Sequence, residues 1–223
     1  MKKHTTLILV FLMCMGFIGC HTTEIRVVPA VFGDVRPLVV PLHQELNSNS
    51  YRERPSREIM GPGCVTKEGV IHYLKSKPSK PALSPRDIGR LIDKYFDEAD
   101  VERINIDIAI AQMLYRTDSL RNAQRVSTHN YAGLDVTSVW NGRFNSMTEG
   151  VRAHIQHLKG YASTRRPNNL VDPRYEILVD LGYQGNIKTF DKLFRAWTEN
   201  PAKYEIRINE ILIDLYRSSG VYR

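Results

Sequence analysis

Apolar positions along this chain fall into helical stripes separated by short polar breaks. Ile88, Leu91, Ile92, Tyr95 and Phe96 recur at three- and four-residue intervals, so one face of a helix there must be buried. Ser84-Pro85 opens that stretch with a hydroxyl able to cap the first turn and a proline where no amide hydrogen is needed. Thr66 offers a similar start for a helix through Lys75, after which Pro78 and Pro81 break the chain. Val151, Ile155 and Leu158 predict a helix to about Tyr161 with Thr148 as its cap. Two further helices are predicted over 190–197 and 201–216, the second capped by Asn200 and striped by Tyr204, Ile208, Ile211, Leu212 and Leu215.

Two stretches break this regularity. The segment from Ile106 to Tyr115 is apolar nearly all round, the mark of a helix enclosed by others, and Arg116 stands at its end where a side chain can leave the core and enter a groove. Between Val136 and Phe144 the pattern changes to a short run around Asn141-Gly142, a pair that favours positive φ and signals a hairpin turn. The expected fold is therefore mainly α, with a minor β element that makes it α+β in detail: a helical domain carrying a small β-hairpin lobe. No internal repeat is evident.

The beginning of the chain reads differently. Lys2 and Lys3 precede an apolar run from Leu7 to Phe17 that ends at Gly19-Cys20, the form of a signal peptide over residues 1–20. Leu7 to Cys20 is fourteen residues, short of the roughly 20 that a spanning helix needs. Residues 21–58 hold Pro29, Pro37, Pro41 and Pro55 and the polar run 47–50 without a sustained period, which predicts an extended tether. Short strands or coil packed on the domain, from Val27-Val28 and Leu38-Val39-Val40, are the alternative. The folded domain is expected over 59–223, a normal size for one core.

Charge and cysteine content narrow the picture further. The chain carries 31 basic and 24 acidic residues, and loss of Lys2 and Lys3 leaves 29 basic residues and a net charge near +5. That balance suits an anionic envelope polymer without selecting one. Cys14 would leave with the signal and Cys20 would carry lipid, so no disulfide framework remains to hold the fold. His154 and His157 lie one helical turn apart, yet no accompanying ligand cluster or H-E-x-x-H supports a metal site, and no cofactor is implied. Cys64 lacks a nucleophile motif, and Arg165-Arg166 is too short a basic run to argue for nucleic acid.

Several separated stretches resemble the bacterial endo-β-N-acetylglucosaminidases of peptidoglycan. In that family an A-Q-x-x-x-E-T-G element is followed by N-x-F-x-G-I or N-x-F-A-G-L, and Ala111, Gln112, Thr117 and the run Asn130-Tyr131-Ala132-Gly133-Leu134 match it. Ser146 to Ser163, SMTEGVRAHIQHLKGYAS, is similar to the family's G-V-R-A-Q-I-Q-H-L-K-A-Y-A-S stretch. Asp172-Pro173-Arg174-Tyr175 resembles a D-P-R-F element, and the segment ending Phe194-Arg195-Ala196-Trp197 resembles a terminal L-x-x-x-W-A. The resemblance runs from about Ile59 to Tyr216. Phe17-Ile18-Gly19-Cys20 likewise resembles a relaxed lipobox, with Cys20 as the acylated residue; cleavage without lipidation is the alternative.

The resemblance implies a lysozyme-like fold, with a groove between helical body and β lobe that holds alternating N-acetylglucosamine and N-acetylmuramic acid. The family cleaves the β-1,4 bond after N-acetylglucosamine, using a glutamic acid to protonate the leaving oxygen. Here Arg116 stands at that position, and a guanidinium stays protonated at any physiological pH and cannot give its proton to a leaving oxygen. Asp118 replaces the glycine of E-T-G, Ser119 and Leu120 replace its usual aromatics, and the segment to Asn130 is about two residues shorter than in the family. Displaced acids would have to come from Asp118, Asp135 or Glu149, each of which has ordinary solvation or helix capping as its alternative role.

For binding, Asn130 has the chemistry to meet an acetamido group or to hold its own turn, and Tyr131 to line the groove or to pack in the core. Trp140 and Phe144 can stack on sugar or on each other. Arg116 can pair with lactyl or peptide-stem carboxylates, or stand as an unliganded surface residue. The expectation is a cell-envelope lipoprotein, exported to the periplasm and held at the membrane by its N-terminal lipid, that binds glycan strands without hydrolysing them. The alternatives are an active glucosaminidase using a displaced carboxylate and a domain that binds other envelope proteins instead of sugar.

Overall fold

The computed structural model describes residues 55–222, so the signal segment, Cys20 and the tether through residue 54 lie outside the described residues. The described residues are mainly helical. In chain order the helices are α1 (Lys67–Ser76), α2 (Pro85–Glu102), α3 (Ile106–Arg116), α4 (Ala123–Ser127), α5 (Met147–Ala162), α6 (Tyr175–Asp180), α7 (Phe190–Trp197) and α8 (Pro201–Ser218). Among the described residues, β pairing is confined to two isolated bridges, Glu58 with Thr189 and Met60 with Ile104. No helix among them is long and apolar enough to cross a membrane.

At the centre lies α3. Every residue from Ile106 to Leu114 is buried, because α8, α2 and α5 all pack against it. α2 also lies along α5, while α1 and α7 cover α8. The ends of these helices are set by short polar side chains. Thr66, Ser84, Asn105 and Asn200 each accept a first-turn amide at the head of α1, α2, α3 and α8, a bond that contributes about 1 kcal/mol apiece. At α5 the cap is Ser146 and not the expected Thr148: Ser146 accepts the Glu149 amide at 3.2 Å, and Glu149 Oε2 accepts the Asn145 amide at 2.8 Å. This is a variant of the capping box, shifted one residue outward.

Buried charge is paired. Arg152 meets Glu98, Lys159 meets Glu102, and His157 Nδ1 meets Asp172 at 2.8 Å. Asp107, in the first turn of α3, accepts the Cys64 and Val65 amides at 2.8 Å and the Tyr216 hydroxyl at 3.1 Å, which fastens the chain before α1 to the core. Burial raises the Asp107 carboxyl above its usual range, against those bonds.

Two expectations are revised. The tether expected to reach residue 58 gives way to folded structure earlier: the Arg57 carbonyl accepts the Phe190 amide at 2.9 Å, and its guanidinium bonds Asn209 at 2.9 Å and Asp191 at 2.6 Å. The hairpin expected over 136–144 closes with one bond, from the Thr137 amide to the Trp140 carbonyl at 3.0 Å, and forms no strand. Its returning limb is bonded elsewhere, since the Phe144 amide donates to the Thr128 carbonyl at 3.0 Å and Arg143 Nη1 to the Ser127 carbonyl at 3.1 Å. Backbone groups committed to the end of α4 cannot also build a ladder with Val136.

Candidate functional site

Arg116 is delivered to the edge of the core by the enclosed helix α3. Its guanidinium lies 5.5 Å over the ring of Tyr204 and 6.0 Å over that of Tyr115, whose faces attract a cation. Nε is buried with no hydrogen-bond partner, an unfavourable state for a charged donor. Arg116 belongs to none of the ion pairs among the described residues.

Behind Tyr204 a line of hydrogen bonds crosses the core. Gln112, one turn before Arg116, donates Nε2 to the Tyr204 hydroxyl at 2.9 Å, and its Oε1 lies 3.1 Å from His154 Nε2. His154 Nδ1 lies 3.0 Å from the Tyr95 hydroxyl. Burial, then His157 and Arg116, push the His154 pKa down to about 3, so its ring is neutral. A neutral ring that donates from Nε2 to Gln112 and accepts at Nδ1 from Tyr95 satisfies every member. Burial also raises the Tyr204 hydroxyl above its ordinary value, with Arg116 opposing.

After Arg116 the helix stops. Thr117 donates its hydroxyl to the Met113 carbonyl at 2.7 Å and accepts the Leu120 amide at 3.0 Å. Asp118, Ser119 and Leu120 follow with φ of 51°, 53° and 64°, three successive residues in the left-handed region. Leu120 is fully buried, and that anchoring holds the turn. The ended helix frees Asp118 from the direction a continuing helix would impose, yet its carboxylate is exposed and paired with Arg121 at 2.6 Å.

The remaining expected residues divide between site and scaffold. Asn130 spends both ends of its amide on Leu134, donating to its carbonyl at 2.9 Å and accepting its amide at 2.8 Å, so it holds its own turn. Tyr131 is fully buried. It stands edge-on to Tyr95, with its hydroxyl 3.1 Å from His129 Nδ1, and burial pushes its pKa up to about 12. Trp140 is half-buried, 4.9 Å from Phe144, and its Nε1 donates to the Arg143 carbonyl. These two rings pack with Ala132, Leu134 and Trp197 beside the turn. Glu149 caps α5 as described. Asp135 is exposed just past Leu134, and of the three carboxylates it alone leaves its side chain uncommitted.

Arg125, on α4, escapes sequence reasoning. Gly133 has φ +63°, and a methyl group on it would lie 2.6 Å from Arg125 Nη1 and 3.2 Å from Arg116 Cδ. The two arginine side chains thus pack on the same face of one glycine, Arg125 by its guanidinium and Arg116 by its Cδ. Burial, then the Arg116 charge, disfavour the Arg125 cation, and Asp135 favours it. Arginine spacing in the sequence carries no signal of this, because the left-handed turn and the Asn130–Leu134 turn create it.

Two other features lie apart. A shallow concavity of about 880 Å³ runs along α2 past His129 to the start of α5, lined by Asp87, Arg90, Lys94, Asp97 and Met147. It includes none of Arg116, Asn130 or Trp140. His154 and His157 gain no third ligand, since His154 spends both ring nitrogens in the network and His157 gives Nδ1 to Asp172. Among the described residues no group of three metal-binding side chains forms.

Fold and site together define a mainly α domain whose buried polar network ends at a helix-terminal arginine. The chain belongs to the same family as an uncharacterized protein of Borreliella burgdorferi, to which it is 30% identical over 176 residues, 77% of this chain and 83% of the relative. No family model and no solved structure matches the chain.

Proposed function

We propose that this protein is an exported envelope lipoprotein, lipidated at Cys20, whose lysozyme-like domain binds peptidoglycan glycan strands and does not cleave them. The observation that carries this reading is Arg116: it ends the enclosed helix α3 at the position where the glucosaminidases hold their acid, and its Nε is buried without a partner. Supporting the register of that comparison, Asp118 stands where the family has glycine and adopts φ 51°, a conformation glycine favours. Gln112, which matches the family's glutamine, ties α3 to α5 through His154. The segment 136–144 brings Trp140 beside Leu134 and Phe144.

Asp135 sustains the second reading, an active glucosaminidase with a displaced acid, because its carboxylate is free of other bonds and acts on Arg125. A general acid of this chemistry is commonly enclosed in apolar surroundings that keep it protonated, and Asp135 is exposed. Loss of a positioned acid lowers the rate by about 10² to 10⁴.

Release of reducing ends from purified peptidoglycan by the full chain, beside sedimentation of the chain with sacculi, separates the readings. Sedimentation without release, with release gained in Arg116→Glu, is the expected result. Release by the unmodified chain that is lost in Asp135→Asn establishes the second reading.

A further inference from the structure

Arg116 and Arg125 are the exception to the way this fold handles charge. Glu98 and Glu102 each have a cationic partner, Asp172 has the His157 ring, and Asp107 has two amides and a hydroxyl. Arg116 and Arg125 have no such partner among the described residues, and the Arg116 guanidinium lies over the rings of Tyr204 and Tyr115. Both arginines lie against Gly133, and neither makes an ion pair among the described residues. Burial and the Arg116 charge both disfavour the Arg125 cation, and the arrangement becomes favourable when an anion bridges the two. Gly133 permits this close packing, because a side chain there would collide with the Arg125 guanidinium and the Arg116 Cδ.

Resting on the glycan-binding reading, we propose that Arg116 and Arg125 form a clamp for one carboxylate of the bound polymer. The size of the charge fits that ligand. Two guanidinium charges beside Asp135 leave a net charge of one, which a single carboxylate neutralises and a phosphate dianion overshoots. A planar carboxylate also matches the two-pronged donor face that each guanidinium presents. Arg125 is then a specificity residue: the turn around Asn130 and the Trp140 neighbourhood present the strand, and the clamp distinguishes an acidic glycan from neutral chitin-like sugar.

Two groups of peptidoglycan supply such a carboxylate. One is the lactyl group of muramic acid, free where the peptide has been removed; the other is on the peptide stem. Calorimetric titration of the full chain with three probes tells them apart: the N-acetylglucosaminyl-N-acetylmuramic acid disaccharide, a muropeptide whose lactyl group is amidated and whose stem carboxylates are free, and chitotetraose. One of the acidic probes is expected to bind at least about tenfold tighter than chitotetraose, and which one it is identifies the source. Arg125→Gln and Arg116→Gln should each remove most of that preference, and Arg125→Lys should retain part of it.

Equal affinity for acidic and neutral probes overturns the clamp and leaves the glycan reading standing. Binding of the stem peptide alone, with neither sugar bound, overturns the glycan reading and leaves the clamp. A preference that survives in both Gln variants overturns the clamp, as does displacement of the acidic probe by inorganic phosphate but not by N-acetylmuramic acid. A readout without any variant guards against misfolding: N-acetylmuramic acid should raise the melting temperature of the unmodified chain more than N-acetylglucosamine does. Equal shifts count against the clamp.

Discussion

Gln112 Oε1 and His154 Nε2 meet 3.1 Å apart where both side chains are fully buried. The contact joins α3 to α5 by a bond that requires the imidazole hydrogen to sit on Nε2, donated to Gln112. It also fixes Gln112 so that its other end holds the Tyr204 hydroxyl beneath the Arg116 guanidinium. The chemistry displayed at the end of α3 is thus supported from inside the core.

Acid should weaken the fold through this histidine. The folded pKa of His154 is depressed to about 3 from an unfolded value of about 6.5. Between those values the unfolded chain binds a proton that the folded chain does not, so stability is complete above pH 6.5 and falls as pH drops. The loss from this group alone is about 2 kcal/mol between pH 7 and pH 5. Asp107 acts oppositely, because its raised carboxyl pKa adds stability as pH falls toward it. Urea titrations at both pH values check the sum, and a smaller slope in His154→Gln isolates the histidine.

Gly150→Ala should cost about 3 kcal/mol. A Cβ at this position in α5 would lie 1.9 Å from the carbonyl oxygen of His129, a backbone atom that cannot rotate away. The loss should appear in calorimetry as a lowered melting temperature. A fall no larger than that of Gly89→Ala, where a Cβ meets open space, would show that the 129 turn can yield.

Lys159→Met should destabilise by about 3 kcal/mol, because removing one member of a buried pair strands the other. Glu102 would keep the Asn168 amide at 2.8 Å and lose its counter-charge. The double variant Lys159→Met with Glu102→Leu should recover part of that loss, as measured by urea unfolding. Failure to recover any of it would place the cost in the lysine's own packing.

Asp118→Gly should raise stability by about 0.5 kcal/mol. Relief of a left-handed residue is worth about 1 kcal/mol, and the exposed Asp118–Arg121 pair that is lost offsets about 0.5 kcal/mol of it. Denaturant midpoints at low and high salt check both parts, because the gain should grow as salt screens the pair.

The longer helices are legible in the sequence because each couples a cap to a full apolar stripe: Ser84-Pro85 before Ile88, Asn200-Pro201 before Tyr204. α4 and α6 are five and six residues long, too short to display a period. Thr148 and Ser146 both have a capping hydroxyl, and the choice falls to Ser146 because Glu149 stands three residues beyond it. Asn141-Gly142 does mark a turn, with Gly142 at φ +84°. Its failure to open a hairpin follows from long-range bonds to Thr128 and Ser127 that no local pattern encodes. Within the site, the position of Arg116 at the end of an enclosed helix is readable from apolar residues on every side of α3. The approach of Arg125 is not, and neither is the self-contained bonding of Asn130, since both depend on how the chain turns between α3 and α5.

The burial of α3 on all sides separates what holds the domain together from what the domain shows to a partner. From Ile106 to Leu114 each side chain is constrained by its neighbours, whereas Arg116 lies two residues beyond that run. Replacement at this position is expected to change the charge at the end of α3 at less cost to the core than replacement anywhere from Ile106 to Leu114. Variation at the end of α3 is thereby uncoupled from the packing that sets the fold, so the charge shown there can change while the helices keep their places.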